Sequence, residues 1–194
     1  MRRVELFLLL LVIGSLWGFI EMLPLSVFAL CAFGVFFLVV GRRIIDIPGT
    51  SILIGLIVCF YKTYSAHFFV CQWAGVMAIA VSFDFFASIV LKESWYKRFN
   101  PILIGTLSNV LAMVLFVVTV TFIFTEPNWI AGGYERVLRY ALRTALPAAL
   151  ISGLLSAPIG VFAARKIKEI NFLQQRTAVL SFYMVVVALL WIVA

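Results

Sequence analysis

Residues 102–124 read ILIGTLSNVLAMVLFVVTVTFIF, 23 positions without one charged side chain. As an α-helix at 1.5 Å per residue this run is about 35 Å long, enough to cross the roughly 30 Å hydrocarbon core of a bilayer. It is almost continuously apolar, without the strict alternation of polar and apolar residues that a barrel strand requires. In lipid every backbone N–H and C=O must be satisfied within the protein, so a run of this kind is a helix.

The rest of the chain repeats the pattern. Of 194 residues, 65% are hydrophobic and 12% charged, against about half and about a quarter in soluble domains. That excess cannot be hidden in one core of this size, because too few polar residues remain to cover the surface. Spans are expected at roughly 5–23, 25–41, 50–64, 67–91, 101–124, 141–164 and 177–194. The fold class is therefore an all-α polytopic membrane bundle forming one domain, 1–194. Span 50–64 is short for a full crossing. Pro24 separates the first two spans, Pro48-Gly49-Thr50 and Asn100-Pro101 mark helix starts, and 125–140 is the one sizeable polar connection, with a short interfacial helix expected from Tyr134. Met1-Arg2-Arg3 before an apolar run has the look of a signal peptide. The run continues to Leu23 without an A-x-A site, and reads as a first span that is not cleaved.

Charge gives the bundle a direction. With the N-terminus inside, Arg2, Arg3, Arg42, Arg43, Lys92, Lys97, Arg98, Arg165, Lys166, Lys168 and Arg176 fall on the inner side, 11 of the 15 bases. This is the positive-inside bias of the cytoplasmic membrane of a prokaryote. It also accounts for the formal charge of +7 without nucleic acid, since the bases sit at span ends and not on a soluble patch. Cys31, Cys59 and Cys71 lie in apolar context with no CxxC and read as small buried hydrophobes.

Ionisable groups inside a bilayer are costly and usually face a cavity or one another. Glu21, Lys62, His67 and Gln72 cluster at the outer ends of their spans, and Arg136, Arg139 and Arg143 open span six on the same side. An outward-facing pocket for a small solute gathers them, lined by Trp17, Glu21, Lys62, His67, Gln72 and Arg143, with Trp17 one turn from Glu21. The competing reading has Lys62 snorkelling and the arginines facing water or headgroups. Asp84 and Asn109 read as hydrogen bonds between helices. Trp17, Trp73, Trp129 and Trp191 are aromatic-belt candidates. Gly14-xxx-Gly18, Ala145-xxx-Ala149 and Gly153-xxx-Ala157 are small-xxx-small faces, for internal packing or for docking another membrane subunit. The single histidine completes no metal site, no cofactor motif is present, and no nucleophile elbow, zinc-protease motif or Walker loop marks an enzyme.

Leu16-Trp17-Gly18-Phe19-Ile20-Glu21, Pro48-Gly49-Thr50 leading into Ile54-Gly55-Leu56-Ile57 and Lys62, and Ala78-Ile79-Ala80 together resemble the substrate-binding subunits of energy-coupling-factor (ECF) transporters. The resemblance covers about the first half of the chain. It implies a six-helix bundle that captures a vitamin, a precursor or a metal ion from the outer side, with a membrane coupling subunit and two cytoplasmic ATPases as partners. The Gly14/Gly18 and Ala145/Ala149 faces would then contact the coupling subunit. Span 177–194 is extra to such a bundle, and the N-terminal histidines of the metal-binding members are missing, which argues against a metal substrate. Two other functions compete. One is a non-transporting assembly protein whose polar groups serve packing; the other is a stand-alone secondary transporter coupled through Asp84.

Overall fold

A computed structural model describes residues 3–64, 70–169 and 176–193. The described residues form helices joined by short turns, with no strand among them. Helix α1 is Arg3–Met22, α2 Val27–Ile44, α3 Thr50–Thr63 and α4 Val70–Phe85, the last extended by a π-helical turn to Val90. Helix α5 is Asn100–Val118, extended likewise to Ile123. The sixth rod runs from Pro127 to Glu169 as α6 (Pro127–Tyr140), α7 (Leu146–Ile151) and α8 (Ala157–Glu169), joined by π-helical turns. Helix α9 is Arg176–Val193.

Helix α1 packs on α3, α3 on α4, α4 on α5, α5 on α7 and α8, α8 on α2, and α2 back on α1. Six rods thus close a ring, and α9 lies outside it against α1. This is the expected six-helix core with an added seventh helix. Five rods, Val4–Met22, Val27–Ile44, Val70–Val90, Asn100–Ile123 and Pro127–Lys168, are long and apolar enough to cross a membrane. The chain is an integral membrane protein. Helix α3, with 14 residues, spans only about 20 Å, in keeping with the expectation that this span is short.

The run that opened the reading shows how the ring is built. Along α5, Leu103, Leu107, Val114, Val118 and Phe122 are exposed, while Ile104, Gly105, Ser108, Asn109 and Ala112 are buried. Apart from Ile104, large apolar side chains face outward and small ones inward, because close packing of backbones, not the hydrophobic effect, holds helices together in lipid. Where α5 crosses the sixth rod, a Cβ at Gly105 would lie 2.9 Å from the Cα of Gly153.

The π-helical turns of the sixth rod have a local cause. Ala141–Ala145 and Ser152–Ser156 each end two residues before a proline, Pro147 and Pro158. A proline ring collides with the carbonyl four residues earlier, here Arg143 and Leu154, and supplies no N–H. Widening the preceding turn relieves both problems. Segment 125–140 corrects the sequence reading: helix begins at Pro127 and not at Tyr134, and is broken at Gly133, with φ 49° and ψ −150°.

Two buried ionic groups tie opposite ends of the ring. At one end Asp84 on α4 accepts from Gly49 N–H at 2.8 Å and Ser51 N–H at 3.4 Å. The first N–H groups of a helix have no partner within it and carry partial positive charge, so this carboxylate caps α3 after the Pro48-Gly49 turn. Arg42, 3% exposed, stands 4.0 Å from Asp84 and 3.3 Å from Asp46, and donates to Ser88 Oγ at 3.0 Å. Asp84 therefore joins helices as expected. The same end gathers Arg43, Lys92, Lys97, Arg98, Arg165, Lys166 and Lys168.

Candidate functional site

The opposite end holds the second ionic group. Helix α1 stops at Met22 because Pro24 follows, leaving its last carbonyls without helical partners. Lys62 near the end of α3 fills that need: Nζ donates to the Glu21 carbonyl at 2.6 Å and pairs with Glu21 Oε2 at 3.0 Å. A cation beside a helix C-terminus is also favoured by the helix dipole. Trp17, one helical turn before Glu21, donates from Nε1 to Glu21 Oε1 at 3.1 Å. Gly34 on α2 makes room for the Trp17 ring, since a Cβ there would lie 2.8 Å from it.

Glu21 is 8% exposed, Lys62 5% and Trp17 0%. The lysine does not snorkel to the interface; it turns inward to the carboxylate. The three side chains form one wall of a cavity of about 280 Å³ inside the helix ring. Gln72 of α4 lines it, as do Asn109, Ala112, Met113 and Phe116 of α5 and Tyr140, Thr144, Ala145 and Ala148 of the sixth rod. A mainly apolar chamber with a few converging polar groups is the usual form of a small-molecule site.

Trp17, Glu21, Lys62 and Gln72 thus come together as the sequence suggested. His67 lies outside the described residues. Arg143 belongs elsewhere: it is exposed and lines a groove on the outside of α6 together with Arg136 and Arg139. The wide turn Ala141–Ala145 carries Thr144 and Ala145 on the cavity wall. Asn109 does not bridge helices; its Nδ2 donates to Gly105 O of its own helix at 2.9 Å, and the residue stands on the cavity wall.

The small-residue faces are occupied within the chain. A Cβ on Gly14 would meet Ile57 at 2.7 Å and one on Gly18 would meet Tyr61 at 2.6 Å. Ala145 and Ala149 are buried at 8% and 1% exposure. None of the four presents a free face to a separate subunit, because the ring itself needed these close approaches. Among the belt candidates, Trp191 packs against Tyr61 in a tilted contact with ring centroids 4.7 Å apart, and Trp129 meets Phe116 edge to face at 5.3 Å; Trp17 is fully buried.

Sequence reasoning missed Tyr140, Thr144 and Phe116, which look like ordinary span residues until the ring closes. It also read all three cysteines as buried, whereas Cys31 and Cys71 are half-buried on the cavity wall. Two of the three lie at positions where α2 and α4 face the chamber, a registration no local pattern marks.

No family model, curated protein or solved structure matches the chain.

Proposed function

We propose that this protein is the solute-capture subunit of an ECF-like importer, taking a small organic solute such as a vitamin or precursor into the cavity walled by Trp17, Glu21, Lys62 and Gln72. The observation that carries the reading is the buried Lys62–Glu21 pair at the wall of a chamber. An ion pair inside a span costs desolvation that packing alone would avoid with apolar residues, and here its groups border empty space instead of being fully enclosed. A chamber of about 280 Å³ sits at the small end of ligand cavities, about 300–1,000 Å³, and suits a compact solute.

Most of the described bases lie at the Arg42 end, and by the positive-inside bias this supports an N-terminus in the cytoplasm. The cavity then lies toward the outer side. The ring of six with α9 outside it also fits the architecture the resemblance implies, and the chain has no ATP-binding motif, so energy would come from a coupling subunit with cytoplasmic ATPases. The assembly and secondary-transporter readings receive less support: the small-residue faces are filled, and Asp84 is held by the α3 N-terminus.

The test is a thermal-shift screen of purified protein against vitamins and their precursors. A stabilising compound should appear, and Glu21→Gln/Lys62→Met should lose the shift. No stabilisation across the panel, or one unaltered in the double variant, would sink the assignment.

A further inference from the structure

The groove outside α6 has a volume of about 680 Å³ and is lined by Arg136, Arg139 and Arg143 against one acid, Glu135. Arg136 is engaged, donating to the Asn128 carbonyl at 2.9 Å with its guanidinium 5.1 Å above the Trp129 ring. Arg139 and Arg143 are exposed and make no ion pair with a carboxylate among the described residues. A concave surface with this charge balance attracts anions and raises their local concentration.

The groove adjoins the cavity. Tyr140 and Thr144 line both. Three rings stand between the two spaces: Phe116 on the cavity side, Trp129 on the groove side and Tyr140 shared. Their centroids are 5.3 Å (Phe116–Trp129), 5.5 Å (Phe116–Tyr140) and 5.3 Å (Trp129–Tyr140) apart. The helix that carries two of these rings is broken between them at Gly133, whose φ of 49° favours glycine.

We infer that the arginine groove is the entrance to the cavity and selects solutes bearing a carboxylate or phosphate, which pass inward when the Phe116–Trp129–Tyr140 partition opens. The inference rests on the capture reading of the cavity and adds a substrate class and a route. The same oxyanion chemistry is offered by an anionic lipid headgroup, and the test separates the two sources.

Cys31 on the cavity wall serves as reporter, in full-length protein with Cys59→Ala and Cys71→Ala, held in phosphatidylcholine nanodiscs. Two thiosulfonate reagents of similar size are compared, one carrying a sulfonate and one a quaternary ammonium. In each case the thiolate displaces methanesulfinate and a mixed disulfide forms. The anionic reagent should be favoured, and R139Q/R143Q should reduce the anionic-to-cationic rate ratio by about tenfold, the low end of electrostatic steering. Tyr140→Ala should speed both reagents and keep the ratio. If that variant fails to fold, the arginine variant, confined to exposed positions, still decides. An unchanged ratio in R139Q/R143Q overturns the entrance, as does a Cys31 that neither reagent reaches. In nanodiscs containing phosphatidylglycerol the selectivity should persist; its loss would assign the groove to lipid headgroups and overturn the route. Because the labelling needs no native solute, this inference and the capture reading can fail separately.

Discussion

Replacing Lys62 by methionine keeps the length of the side chain and removes its charge. Glu21 would then remain 8% exposed, with the Trp17 indole N–H still donating to it. It would lose the ammonium at 3.0 Å from Oε2, and its carbonyl would lose the donor at 2.6 Å. Stranding one partner of a buried pair costs about 3–5 kcal/mol. Adding Glu21→Gln removes the uncompensated charge while the amide oxygen still accepts from Trp17. A large share of the loss should return, giving a coupling energy of about 2–3 kcal/mol between the positions. The assay is reversible unfolding in mixed micelles of the wild type, both single variants and the double variant. Additive effects would show that the charges do not meet in the folded protein, and would refute the account of how α1 and α3 are joined. The double variant also separates stability from binding, since it should regain the fold and not the solute.

Other perturbations test the frame around the cavity. Asp84→Ala removes the cap on the first turn of α3 and leaves Arg42 short of a buried acceptor, so unfolding should become easier by about 1–3 kcal/mol; an unaltered stability would contradict the capping role. Gly105→Leu pushes a side chain against the Gly153 backbone, 2.9 Å from its Cβ position, and should lose about 1–3 kcal/mol or more in the same assay. Gly49→Ala meets no atom within 4 Å but holds φ at +88°, so its cost should be about 1–2 kcal/mol from backbone strain alone. Removing residues 176–194 should leave the six-helix ring folded, by circular dichroism and unfolding, because α9 packs against α1 from outside.

Much of the architecture was legible because lipid makes it so. Runs such as 102–124 must be helices, and proline and glycine at 24, 48 and 49 mark where they end. That Glu21 and Lys62 share one pocket was legible as well, since charged groups within spans usually face a cavity or one another; that they pair directly was not, because Lys62 could equally have met a solute anion or snorkelled. What stayed hidden depends on how helices rotate about their axes. Arg143 lies one residue from Thr144 on the same wide turn, yet one faces the groove and the other lines both spaces. Arg42, counted by its position among surface bases, is buried against Asp84. A small-xxx-small face likewise signals close packing without saying what packs there, and Gly18 meets Tyr61 of its own chain. The helix at 127–133 escaped notice because its glycine pair reads as a loop.

Native mass spectrometry of the protein released gently from its membrane tests the central claim most directly. The account predicts a bound solute of small mass on the wild type, absent from Glu21→Gln/Lys62→Met. A wild-type protein that carries no solute and takes up none of the vitamins or precursors supplied to it, or a double variant that carries the same solute, would contradict it.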